Sequence, residues 1–172
     1  MKNKTLDVIK NRVSCRNFSE KKVSLKKALE IAETGKYAPS GKNRQIANIF
    51  VINSKRNVEK LRRISLELCG RDCMYGAKTI ILVGAPRGDQ FTFQDCSCIL
   101  ENMFVAATAL KVDSCWINQL DELLKDPKYL KLRKRLGLSN EDRVVGSIIL
   151  GYRKEGVKID IKPRKEDFIK YL

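Results

Sequence analysis

With 172 residues, 43% of them hydrophobic and 32% charged, the chain has the size and composition of a single domain that buries an ordinary core. It carries 35 Lys plus Arg against 20 Asp plus Glu, a net charge of +15, and no histidine, which excludes Ser-His-Asp and Cys-His hydrolysis. No apolar run approaches the roughly 20 residues of a membrane span, and the opening residues lack a signal-like apolar stretch, so a cytoplasmic protein is expected.

In chain order, Leu6, Ile9 and Val13 recur at helical spacing and predict a short helix leading into Arg12-Val13-Ser14-Cys15-Arg16. There two guanidinium groups and a hydroxyl stand at alternate positions. Arginine presents a planar fork of donors matched to phosphate oxygens, and the serine adds a neutral donor, so the pattern reads as a phosphate grip. A solvated basic loop has the same spacing, and the pattern alone leaves both open. Ser24 predicts the cap of a second helix, with Leu25, Ala28, Leu29 and Ala32 as its buried stripe and Gly35 as its end. The loop Pro39-Ser40-Gly41-Lys42-Asn43-Arg44-Gln45 follows.

Residues 49–52 read as a strand, 57–69 as a helix, and 79–83 as a second strand ended by Gly84-Ala85-Pro86. Thr92 and Asp95 resemble a capping box opening the longest apolar helix, in which Cys96, Ile99, Leu100, Met103, Phe104, Ala107 and Leu110 share a face. Ala106, Ala107 and Ala109 would let another helix approach that element closely. Residues 112–117 read as a third strand, 127–136 as a basic helix, 144–150 as a fourth strand, and 166–172 as a short helix or arm. The pattern predicts an α+β architecture in one domain spanning 1–172.

Six cysteines, at 15, 69, 73, 96, 98 and 115, lack the paired C-x-x-C spacing of a zinc or iron–sulfur site. They are read as reduced thiols, and no metal is expected. Cys15 sits between two arginines that are expected to lower its pKa. The basic excess is concentrated before residue 64. No aromatics interleave it as base stacking requires, so a field that draws anionic cofactors is favoured over nucleic-acid binding.

Taken in order, the Arg12 to Arg16 segment, the stretch from Ala38 to Gln45, the run Leu110-Lys111-Val112-Asp113-Ser114-Cys115-Trp116-Ile117-Asn118-Gln119, Gly151-Tyr152 and Lys162-Pro163-Arg164 resemble the FMN-dependent nitroreductase family over nearly the full length. The chain departs from that family at Lys111, where glycine is usual, and at Ile46-Ala47, where Pro-Trp is frequent. The resemblance implies a central, mostly antiparallel sheet flanked by helices, in a homodimer that binds FMN at the subunit interface.

It also implies roles for individual residues. Arg12, Ser14 and Arg16 would clasp the FMN phosphate, with Lys162 and Arg164 as a second basic arm. Pro39, Ser40, Gly41 and Asn43 would reach the neighbouring subunit's flavin, Asn43 meeting its pyrimidine edge. Ile117, Asn118 and Gln119 would present backbone amides to the ring, and Trp116 would shape the pocket or the core. Arg44, with Lys42 second, is the expected cation that favours reduced flavin. Electrons would come from NAD(P)H and pass to a nitroaromatic, a quinone or another small electrophile by a ping-pong mechanism, with neither nucleic acid nor membrane as partner. A flavin-bearing enzyme loses nothing by lacking histidine, because the cofactor carries the chemistry. Two alternatives stand beside this reading: a flavin-binding module with little turnover, and a basic nucleic-acid-binding domain supported by charge alone.

Overall fold

Residues 3–159, 161 and 163–171 are described by the computed structural model. The Asn3 side chain accepts from the Thr5 and Leu6 amides and so starts helix α1 (Lys4–Asn11). Ser24 does the same for α2 (Leu25–Gly35), its hydroxyl accepting from the Lys27 N–H at 3.3 Å. The α2 stripe differs from expectation: Ala28, Ile31, Ala32 and Gly35 are buried, whereas Leu25 and Leu29 are 53% and 50% exposed. The face that the neighbouring helix covers is the one with small residues, where two helices approach closely, and the larger leucines are left outside.

Four antiparallel strands, β1 (Asn48–Ile52), β2 (Thr79–Pro86), β3 (Asp113–Ile117) and β4 (Asp142–Gly151), lie in the order β1-β2-β4-β3. The central pair is apolar on both sides. Ile80 and Leu82 point into one core and Ile81, Val83 and Ala85 into the other, the alternation a pleated strand imposes. β2 does not stop at Gly84-Ala85-Pro86. A register shift at Val83/Gly84 absorbs the irregularity, and pairing continues to Asp142.

One face of the sheet is covered by α3 (Lys55–Cys69), α5 (Leu120–Lys125) and α6 (Leu130–Leu136). Ser54 caps α3, and Gly70 ends it in the left-handed region at φ 66°. The expected basic helix is a short 3-10 turn at Pro127–Tyr129 followed by α6, and Arg133 within it is buried, not solvated. Its guanidinium donates to the carbonyls of Ser139 at 2.6 Å and Asp142 at 2.8 Å, tying α6 to the start of β4.

On the other face lie α2 and α4 (Thr92–Ala109), with Cys96, Leu100, Met103, Phe104 and Ala107 inward. The capping box is not formed. Thr92 donates its hydroxyl to the Pro86 carbonyl at 2.6 Å, and Asp95 reaches across to the Gly41 amide. The final segment makes only a 3-10 turn at Glu166–Phe168, with Phe168, Ile169 and Tyr171 exposed; Leu172 lies outside the described residues. Among the described residues, no helix is long and apolar enough to cross a membrane.

Candidate functional site

After α1 the chain runs extended along the outer edge of β3. Ser14 forms a parallel bridge to Ser114, and the Cys15 N–H donates to the Ser114 carbonyl at 2.8 Å. Phe18 then bridges to Arg153 and is buried, so the segment is pinned at both ends. An extended backbone sends alternate side chains to opposite sides. Cys15 turns into the core, where Cys115 of β3 belongs to the same buried cluster, while alternation sets Arg12, Ser14 and Arg16 on the opposite side of the segment.

The thiols record this division. Burial pushes the Cys15 pKa up, and the arginines that flank it in sequence do not rescue it, which corrects the expected lowering. For Cys115 burial is again the dominant effect and raises the pKa; Arg16, Ser14 and Arg12 pull it back. The residues expected to grip a phosphate therefore lie on one side of a segment next to β3. Ile117 ends that same strand, its carbonyl accepting from the Ser147 hydroxyl at 2.8 Å. Asn118 is exposed at the strand exit, and its N–H donates to the Gln119 side chain at 3.2 Å. The Trp116 indole N–H reaches the Asn118 side chain at 3.4 Å, and its ring stacks on Phe104 at 6.0 Å between centroids.

Loop 39–47 lies elsewhere, since it feeds β1 at the opposite edge of the sheet. Three strand spacings separate the edges. Ser114 aligns through Leu150 with Thr79, whereas Asn48 pairs with Gly84, so loop and grip occupy diagonal corners on the order of 20 Å apart. Lys42, Asn43 and Gln45 all adopt left-handed backbone, at φ 53°, 53° and 51°. A side chain costs about 1 kcal/mol or more in that region, so the turn must be held from outside. Three contacts hold it. Gly41 lies flat on the Phe91 ring, where any Cβ would collide; its N–H donates to Asp95 at 2.8 Å; and the Ser40 hydroxyl accepts from the Gln45 N–H at 3.1 Å. The glycine thus serves close packing within the chain.

Arg44 is not the open cation expected at this loop. It is ion-paired with Asp89 and lies over the Phe91 ring at 5.4 Å. Lys42 is exposed and has no ion pair among the described residues, so it carries the loop's uncompensated charge. Of the second basic arm, Arg164 is exposed and Lys162 lies outside the described residues. Lys111 takes φ 55°, the conformation natural to the glycine usual at that place.

A family model described as the nitroreductase family matches residues 9–152. The chain belongs to the nitroreductase family. Among solved structures, a nitroreductase with bound FMN from Bacteroides fragilis is 32% identical, with a TM-score of 0.92 over 99% of this chain and 100% of its own. A second, also with bound FMN, from Desulfitobacterium hafniense, is 25% identical with a TM-score of 0.89 and covers 100% of both chains. A protein of Archaeoglobus fulgidus that bears the name NADH dehydrogenase/NAD(P)H nitroreductase is 28% identical over 155 residues, 87% of this chain and 86% of its own length.

One residue of this nitroreductase carries more than its sequence context suggested. Asp95 is buried, one carboxylate oxygen accepts from Gly41, and the other has no hydrogen-bond partner among the described residues. Leaving such an atom unsatisfied costs about 1–3 kcal/mol. The signal available in the sequence was only an acidic residue near a helix start, which capping explains equally well.

Proposed function

We propose that the chain is an FMN-dependent oxidoreductase, active as a homodimer, that takes electrons from NAD(P)H and delivers them to a small electrophile such as a nitroaromatic or a quinone. The placement of Arg12, Ser14 and Arg16 on one side of the segment beside β3 carries this reading. That donor set fits a phosphate monoester: two guanidinium forks for its charge and a hydroxyl for a remaining oxygen. FMN supplies the hydride chemistry when bound, so the protein's part is to hold, orient and shield. Arg12, Ser14 and Arg16 hold the phosphate, and Arg164 approaches as the second basic arm. Asn118 and Gln119, on the same strand edge as the grip, orient the ring.

The dimer is supported by the distance between grip and loop. Pro39, Ser40, Gly41 and Asn43 lie at the corner diagonal to the same chain's grip, so they serve a flavin only across a two-fold interface. Helix α1 buries none of its residues, Leu6 and Ile9 being half exposed, and an open groove beside it is lined by Ile9, Tyr37, Asn102, Val105 and Ala106. A second copy covers that groove. NAD(P)H as donor follows the name of the Archaeoglobus relative.

Purification and a visible spectrum test the proposal. A flavin band that NADH or NADPH bleaches without oxygen, and that a nitroaromatic or quinone restores, is the expected result. A colourless protein would overturn it, and a band that neither nucleotide bleaches would leave a passive flavin carrier. Sedimentation showing a monomer with tightly bound flavin would remove the interface.

A further inference from the structure

A groove of about 470 Å³ lies between α3 and α6, lined by Arg56, Lys60 and Arg63 of the first helix and Arg135 of the second. Spacings of four and three residues put the three α3 cations in one row, about 10 Å long at the helical rise. Like charges so placed repel and cost the helix a little stability, and Arg56 stands in the first turn, where the helix dipole disfavours a cation. None of the four has an ion pair among the described residues. The two acids of the same groove are committed elsewhere: Glu59 pairs with Arg62 at 3.0 Å, and Glu67 with Lys128 at 2.6 Å and the Tyr129 hydroxyl at 3.1 Å. The groove therefore holds a concentrated positive charge that the chain itself does not neutralise.

It is separate from both corners described above. Gly137, which ends α6, lies against the Phe50 ring of β1, so the groove flanks the β1 edge, whereas the segment 12–18 runs along β3 at the other edge. Loop 39–47 packs on Phe91 and on Asp95 of α4, on the opposite face of the sheet. We infer that the groove between α3 and α6 binds a chain of phosphates, a triphosphate or longer, through Arg56, Lys60, Arg63 and Arg135. Guanidinium forks match phosphate oxygens, and a row of cations favours a ligand whose charge is spread along its length over a single orthophosphate. The concave shape and the volume suit a small ligand. Among the described residues of the groove no aromatic face is free, because the Tyr129 ring is buried and Lys128 lies over it at 4.9 Å. The bases of a polynucleotide have nothing to stack on, and contact stops at the phosphates. This assignment does not rest on the function proposed above.

Calorimetric titration of the purified protein with tripolyphosphate, ATP and orthophosphate, at low salt and with FMN in excess, tests the groove. One tripolyphosphate per chain is expected, bound about tenfold or more tightly than orthophosphate and weakening as salt rises. Equal affinity for ATP means that the phosphates alone are read, and a gain of about tenfold for ATP means that the ligand is a nucleoside polyphosphate; either upholds the site. Lys60→Gln and Arg135→Gln alter exposed residues on separate helices. Each should lower tripolyphosphate affinity about fivefold or more, with the urea midpoint and FMN retention unchanged. Affinity equal to the parent's in both variants, or no preference for tripolyphosphate over orthophosphate, overturns the site. So does loss of binding in Arg16→Ala with Arg135→Gln unaffected, which would put tripolyphosphate in the phosphate grip. Tighter binding of a thymidine oligonucleotide than of tripolyphosphate, lost in the same two variants, would overturn it in favour of a nucleic-acid surface. Tripolyphosphate binding of the expected kind by a protein that takes up no FMN would uphold the groove and overturn the function assigned above.

Discussion

The segment 12–18 and the loop 39–47 occupy diagonal corners of one sheet and are held in opposite ways. The first is built like an added strand, with bridges to Ser114 and Arg153 and with Cys15 and Phe18 buried as plugs, so the positions of Arg12, Ser14 and Arg16 follow from strand alternation. The second has three left-handed residues that are not glycine and is kept in place by a ring, a carboxylate and a hydroxyl supplied by other residues. A segment built on a regular element has its side chains placed by its own chain. The loop depends on distant side chains, and under the proposed function a second copy completes it.

The sharpest way to break this comparison is to remove a charge from the grip. Arg16→Ala is expected to weaken FMN binding by about 1.5–3 kcal/mol, the range for a hydrogen bond to a charged group, and to leave thermal stability almost unchanged because Arg16 is exposed. Equilibrium dialysis against FMN at low and raised salt measures it. Retention equal to the parent's would mean that the grip is elsewhere.

At the loop the expected loss is structural. Gly41→Ala puts a methyl group into the Phe91 ring, and overpacking of this kind costs about 1–3 kcal/mol. A lower urea midpoint together with weaker dimerisation is expected, since ring and loop must separate. An unchanged midpoint and an unchanged dimer would show that the loop's conformation does not depend on that contact.

How far each corner was legible in the sequence follows the same division. Ser24 predicted its helix start because a cap is local chemistry, and the alternation in 12–16 was readable because period two is a property of the segment itself. Helix α5 gave no usable signal: it begins immediately after a strand and is too short for periodicity, although Leu120 and Leu124 are fully buried. The role of Asp95 and the ion pairing of Arg44 escaped the sequence for a different reason. Each is committed to a partner far along the chain, Gly41 and Asp89, and a single sequence does not show which distant group a charge will meet. Lys111 lies between these cases, because a departure from glycine at a helix end flags left-handed backbone without any structure.

Lys111→Gly tests that flag. The left-handed conformation costs a non-glycine residue about 1–2 kcal/mol, and glycine's extra freedom in the unfolded chain returns roughly 0.5–1 kcal/mol of it. A net gain of about 1 kcal/mol is expected, a rise of roughly 2–4 °C in Tm for a domain of this size. A lower Tm would show that the Lys111 side chain makes a compensating contact.

The smallest expected effect belongs to Arg44, and it separates a cation's presence from its availability. Arg44 and Asp89 together are nearly neutral, so a flavin held against this loop feels a dipole in place of a charge. Arg44→Ala removes the cation and leaves the Asp89 carboxylate, but both groups are partly in water, where such pairs are worth about 0–1 kcal/mol and their fields are screened. Among the described residues, Lys42 has no such partner. If the loop sets the stability of reduced flavin, Lys42→Ala should lower the two-electron midpoint by about 20 mV, the equivalent of roughly 1 kcal/mol, and Arg44→Ala by less than half of that. Spectroelectrochemical titration of both variants decides the order. A larger shift for Arg44→Ala would mean that the Asp89 pair opens when flavin binds, and the loop would then be remade by its ligand, not merely completed by it.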